Sequence, residues 1–160
     1  MPRIVVDEGG HRFVTSGDTA VVVWRSAPTV AAAARMIPFV KDLYAERGRP
    51  IYIFVVIVDT TNPPDEAARA AMAESMAKTA AYTKMIVSVI QGQGFRASVI
   101  RSIAAGMQIL ARKAAPGKIF ATEEEAIAYL VEHDPATVRR DELREAVALA
   151  MGTSEKALAS

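Results

Sequence analysis

From Ile51 to Val58 the chain runs through eight consecutive apolar residues, IYIFVVIV, then turns polar at Asp59-Thr60-Thr61-Asn62 before Pro63-Pro64. The run is β-branched and aromatic, too short for a lone buried helix, and bounded by proline on both sides, so it predicts a strand. It does not alternate with polar residues, which predicts burial on both faces, as at the centre of a parallel sheet. Polar residues at the exit of such a strand, just ahead of a helix, stand where open α/β sheets keep their sites.

The flanking pattern extends this picture. Ile4–Val6 and Phe13–Val14 are short β-like pieces around Gly9-Gly10, and Ser16-Gly17-Asp18 signals a turn. Thr19–Trp24, TAVVVW, predicts a strand, so the chain opens with a hairpin. Pro28-Thr29 opens a helix in which Val30, Ala33, Ala34, Ile37, Val40 and Tyr44 keep a helical period. Pro38 predicts a kink or a break in it, and Gly48 suits its left-handed end. Pro63-Pro64-Asp65-Glu66 starts a second helix running to about Thr83, and Met85–Ile90 is the next strand. After Gln91-Gly92-Gln93-Gly94, a third helix from Phe95 carries the stripe Ile100, Ile103, Met107 and Leu110. Lys118–Ala121 predicts a last strand, and Thr122-Glu123-Glu124-Glu125 is a capping box for a fourth helix. Asp134-Pro135 reads as the N-cap and first position of a fifth helix, with Leu143, Ala146, Val147 and Ala150 as its apolar stripe. Residues 152–160 are expected to form a flexible tail. The expectation is therefore one α/β domain over residues 1–151, with a mostly parallel four- or five-stranded sheet, an N-terminal β-hairpin and helical crossovers.

Composition removes several function classes. The 160 residues carry a net charge of +1, so no bulk field draws the protein to nucleic acid or an anionic membrane. There is no cysteine, which excludes disulfides, thiol catalysis and Cys-zinc sites. Apolar residues make up 51%, but many are alanine, which packs closely and buries little area. The start, MPRIVVDEGG, has no apolar stretch of signal-peptide length, and no run approaches a membrane span. A cytoplasmic, bacterial protein is expected.

Two strand exits are candidate sites. At Asp59, Thr60, Thr61 and Asn62, the bland reading is a cap, in which Thr61 or Asn62 satisfies free N–H groups of the second helix. The functional reading is a phosphorylatable or anion-binding turn. At Gly92, Gly94 and Arg96, the form G-x-G invites a dinucleotide loop. However, the third glycine position holds Ala97, and the following strand, Lys118–Ala121, ends in no Asp or Glu. A turn that exposes Arg96 fits better. Arg96, Arg101, Arg112 and Lys113 line one stretch of the third helix, a solvated face or a small basic patch for a protein partner. His11, placed in a loop, and His133, placed at a helix C-terminus, show no metal-like spacing, and there is no G-x-S-x-G. No catalytic residue, metal site or cofactor is assigned.

Three features resemble the STAS and SpoIIAA-like group of small α/β domains. A leading hairpin precedes a βαβαβα chain. The central strand exits into Asp59-Thr60-Thr61, similar to the Asp-Ser-Ser turn of anti-sigma-factor antagonists. The segment from Lys118 to Leu130, KIFATEEEAIAYL, is similar to the family's closing strand and helix. By position Thr60 and Thr61 match the phospho-accepting hydroxyls, although Asn62, Pro63 and Pro64 follow in place of a glycine and an apolar residue. The resemblance implies a SpoIIAA-like fold and a non-enzymatic signalling or scaffolding module that binds another protein. The alternatives are a flavodoxin-like doubly wound domain, and a small-molecule, lipid or nucleotide binder that uses the strand-exit loops.

The resemblance also implies helices gathered on one sheet face, while the central strand is apolar on both. An uncovered face would forgo roughly 1.5–3 kcal/mol per large side chain. The hairpin, the fifth helix or a second copy must cover it, and a homodimer is expected, with the hairpin or fifth helix in the interface.

Overall fold

The computed structural model describes residues 1–111 and 115–152. Six strands form one sheet in strictly sequential order: β1 (Arg3–Glu8), β2 (His11–Ser16), β3 (Thr19–Trp24), β4 (Ile51–Ile57), β5 (Thr83–Ile90) and β6 (Gly117–Phe120). The first three are antiparallel, and β3 through β6 run parallel. The class is α/β as expected, with six strands rather than four or five. The difference lies in β1 and β2, whose short apolar pieces extend into full pairing partners from Arg3 to Ser16.

Sequential order dictates the layers. A right-handed crossover between adjacent parallel strands carries its helix to the same face each time. Accordingly α1 (Val30–Arg47), α2 (Glu66–Thr79) and α3 (Phe95–Ala111) form one layer, with α1 packed on α2 and α2 on α3. Under it lie Phe13, Ala20, Val22, Trp24, Ile51, Ile53 and Ile86. The opposite face, with Val14, Val21, Val23, Tyr52, Phe54, Val56, Val87 and Val89, must be covered by chain that follows β6. It is covered by α4 (Glu123–His133) over β5 and β6, and by α5 (Arg140–Met151) across β2 and β3. The face that motivated the homodimer is thus closed within the chain. Two arginines fasten the end of α5. Arg12 donates to the Leu149 carbonyl at 2.8 Å and Arg25 to that of Ala150 at 3.0 Å, placing cations where the helix dipole favours them.

Several local expectations hold, and others yield to tertiary contacts. Thr29 caps α1, Gly48 ends it at φ 69°, and Thr122 caps α4 through the Glu125 N–H. Pro38 sits exposed inside one continuous α1. The second helix ends at Thr79 and passes into a short 3₁₀ turn, Ala80–Tyr82. α5 begins at Arg140, not at Pro135. Asp134 makes one isolated turn by accepting from the Thr137 N–H, and its other oxygen accepts the Tyr52 hydroxyl at 2.7 Å. His11 is not in a loop. It lies buried in β2, its ring tilted against those of Phe13 and Trp24, and burial lowers its pKa. Arg112, Lys113, the Leu110 side chain and the tail from residue 153 lie outside the described residues.

Candidate functional site

The two predicted strand exits meet at one end of the sheet. The Gln91 N–H donates to the Ile57 carbonyl at 3.0 Å, which fixes the β5 exit beside the β4 exit. Gly92 has φ 90°, and a Cβ there would stand 3.0 Å from the Asp59 Cβ, so only glycine permits this approach. Arg96 donates to the Thr60 carbonyl at 3.5 Å, and Arg101 to the Gly92 carbonyl at 2.7 Å. Asp59, Thr60, Asn62, Gly92, Gly94 and Arg96 are exposed on this rim. Among the described residues neither Arg96 nor Arg101 has a carboxylate partner.

Thr61 behaves differently from the rest of its turn. It is buried, and its hydroxyl donates to the Trp24 carbonyl at 3.0 Å. The cap of α2 is Asp65, which accepts the Ala68 N–H at 2.8 Å, so neither Thr61 nor Asn62 fills that role. Pro63 and Pro64 stand between Asn62 and the N-cap Asp65, so the helix starts at Glu66, out of reach of both side chains. With its hydroxyl turned inward, Thr61 presents nothing to a kinase in this conformation, and Thr60 carries the exposed hydroxyl of the pair. Thr61→Val is expected to cost about 1 kcal/mol, since Trp24 keeps its bond from the Val58 N–H. Urea unfolding of the two proteins measures this.

Beneath the rim lies a feature that the periodicity does not predict. An apolar cavity of about 100 Å³ separates the sheet from the α1–α3 layer. Its floor is built in register: Trp24 pairs with Ile57, Val55 with Ser88, and Ile53 with Ile86. Its roof is Ala33 and Met36 of α1, Met72, Ser75, Met76 and Thr79 of α2, and Ala104 and Met107 of α3. The void follows from composition. α2 reads EAARAAMAESMAKT, so alanine is its commonest residue and little side-chain volume reaches the sheet. Ser88 also puts a small residue in a central strand. Val55 and Ile57, on the innermost parallel strand, consequently remain only half-buried. Two hydroxyls of the lining are bonded to backbone: Ser75 donates to the Ala33 carbonyl at 2.6 Å and Thr79 to that of Ser75 at 2.7 Å.

A smaller chamber of about 40 Å³ shares Ile57, Met72, Ala104 and Met107 with the first. It extends along Ile100 and Ile103 to Pro28, Thr61, Asn62 and Pro64, and so reaches the rim. Four methionines, Met36, Met72, Met76 and Met107, surround the main cavity. The signal available in the sequence was the pair Met72 and Met76, one turn apart as the only large apolar residues of an alanine-rich helix.

A second polar cluster lies at the opposite end of the sheet. Asp18 is buried at the β2–β3 turn and accepts from Arg47 at 2.7 Å and Arg49 at 2.5 Å. Burial pushes its carboxyl up, and the bonds and charges of Arg49 and Arg47 more than offset this, leaving it below the usual range. Each of these groups is engaged with another part of the chain, which makes the cluster a tie between the hairpin and the end of α1. Among the described residues no group of three His, Asp or Glu is placed to hold a metal ion, and no helix is long and apolar enough to cross a membrane. The chain matches no family model, no curated protein and no solved structure.

Proposed function

We propose that this chain is a non-enzymatic binding module of the STAS-like kind whose ligand is a small apolar molecule or alkyl chain held between the sheet and α1–α3. The observation that carries this reading is the methionine-lined cavity, which shares four wall residues with a second chamber that reaches the strand-exit rim. An apolar cavity of about 150 Å³ binds benzene in an engineered protein. A void of about 100 Å³ with an adjoining chamber is therefore on the scale of a ring or a short alkyl chain. Methionine, with three rotatable bonds, re-packs around differing occupants. Among the described lining residues none is charged, and the Ser75 and Thr79 hydroxyls are bonded to backbone, which favours holding a ligand over transforming it.

Trp24 is the single tryptophan of the chain and lines the cavity, so it reports occupancy directly. Titration with 1-bromohexane is expected to quench its emission in a saturable way, because bromine quenches on contact. Ala104→Leu adds three carbons to the shared wall of the two chambers. It is expected to weaken this quenching by about tenfold or more, on the scale of one to two buried methylenes displaced. Non-saturable quenching equal in both proteins sinks the reading.

A second reading, docking of a protein partner on the rim, is favoured by Phe95, which is 86% exposed beside Arg96. An aromatic left so open on a loop-to-helix junction suits a contact surface. In that case the rim signals ligand occupancy to the partner, which joins the two readings in one module.

A further inference from the structure

We infer, building on the pocket reading above, that the ligand is an amphiphile whose carboxylate head is held at Arg96 while its alkyl tail fills the chambers. Arg96, Ile100, Ile103 and Met107 recur at the spacing of one helix face. Ile100, Ile103 and Met107 line the chambers, so Arg96 stands at the rim end of the lining stripe. Its guanidinium reaches the Thr60 carbonyl at 3.5 Å, next to Thr61 and Asn62 at the mouth of the smaller chamber. A guanidinium with a carbonyl as its partner keeps its charge and most of its donors free for a carboxylate. The Asn62 amide, exposed at the same mouth, supplies a further donor. Deeper in, the described lining carries no cationic side chain to hold a carboxylate; its polar members are Ser75, Thr79 and Ser88, and the first two already donate to backbone. The charge therefore stays at the rim and the tail points inward. Asp59 is exposed on the same turn and opposes an anion, so the preference is severalfold rather than absolute.

Displacement of 1-bromohexane from Trp24 by octanoate and by octanol at neutral pH tests this. Octanoate is expected to displace at a concentration roughly three- to fivefold lower than octanol, the scale of an exposed ion pair. Arg96→Gln is expected to bring the ratio of the two to about one, and Arg96→Lys to restore part of it. An equal response to both competitors in the unaltered protein, or a ratio unchanged in Arg96→Gln, overturns the head-group assignment and leaves the pocket standing. Failure of 1-bromohexane itself to quench saturably removes the pocket and this inference together.

Discussion

A chain ended after Asp134 is expected to lose cooperative folding as a monomer. In the intact protein α5 puts Leu143, Ala146, Val147 and Ala150 over the face of Val14, Val21 and Val23, with Val138 at its edge. With α4 lying over β5 and β6, strand order leaves no other cover for the β2 and β3 part of that face, because every crossover from β3 to β6 delivers its helix to the other side. Each large side chain uncovered or removed forgoes roughly 1.5–3 kcal/mol. Across the valines of the two strands and the large residues of α5, the loss is of order 10 kcal/mol, comparable to the whole stability of an ordinary domain, about 5–15 kcal/mol. The truncation also strips Arg12 and Arg25 of the carbonyls they cap. Thermal unfolding followed by circular dichroism should show no sharp transition, and sedimentation should show self-association through the bared valines. A truncated chain that melts sharply as a monomer would mean that α4 alone covers the face. The same sedimentation run on the full chain measures its oligomeric state, which the closed sheet no longer obliges to be dimeric.

What could be read from the sequence, and what could not, divides along a physical line. Ile51–Ile57 was legible because a strand buried on both faces needs an unbroken apolar run, and few other structures need one. The caps at Thr29 and Thr122 were legible because a cap is decided within four residues. Asp134-Pro135 carried an equally good local signal, yet α5 starts at Arg140. The carboxylate is claimed by Tyr52, which is 82 residues away in the chain, and no local pattern contains that bond. Thr61 was misjudged for the same reason, since its partner is the carbonyl of Trp24 in another strand. The meeting of the two rims was half legible. Both loops were marked as strand exits, but their contact depends on β4 and β5 being neighbours in register. Of the cavity the sequence carried only the hint of Met72 and Met76. A void is volume that side chains fail to fill, and it appears only once Ala-rich α2 is laid over Ser88 and Val55.

The bond from Tyr52 to Asp134 makes the remaining expectation with a large effect. Tyr52 is almost fully buried at the centre of the sheet and donates its hydroxyl at 2.7 Å to a carboxylate on the link between α4 and α5. Lys84 adds an ion pair to the same oxygen at 3.6 Å and lies over the Tyr52 ring. The hydroxyl thus holds the loop from which α5 departs. The Tyr52 bond is the main cause that lowers the Asp134 carboxyl below its ordinary range, against a smaller opposing push from burial. Burial first, and then the bond to Asp134, push the phenol above its ordinary value. Tyr52→Phe keeps the ring and removes the bond, so it is expected to cost about 1.5–3 kcal/mol, the range for hydrogen bonds to charged groups. For a chain of this length that is a fall in Tm of roughly 4–10 °C. The pH dependence separates this from a packing defect. A carboxyl lowered in the folded state contributes stability above its unfolded pKa, about 3.9, and loses it as pH falls through the lowered value. A phenol raised in the folded state contributes fully below about pH 10 and loses that contribution as pH rises further, because the unfolded tyrosine ionises first. The stability difference between the two proteins should therefore be flat between about pH 5 and 9 and shrink toward both extremes. A difference that persists unchanged at pH 2 would place the cost in packing rather than in the bond that ties the central strand to the helix covering it.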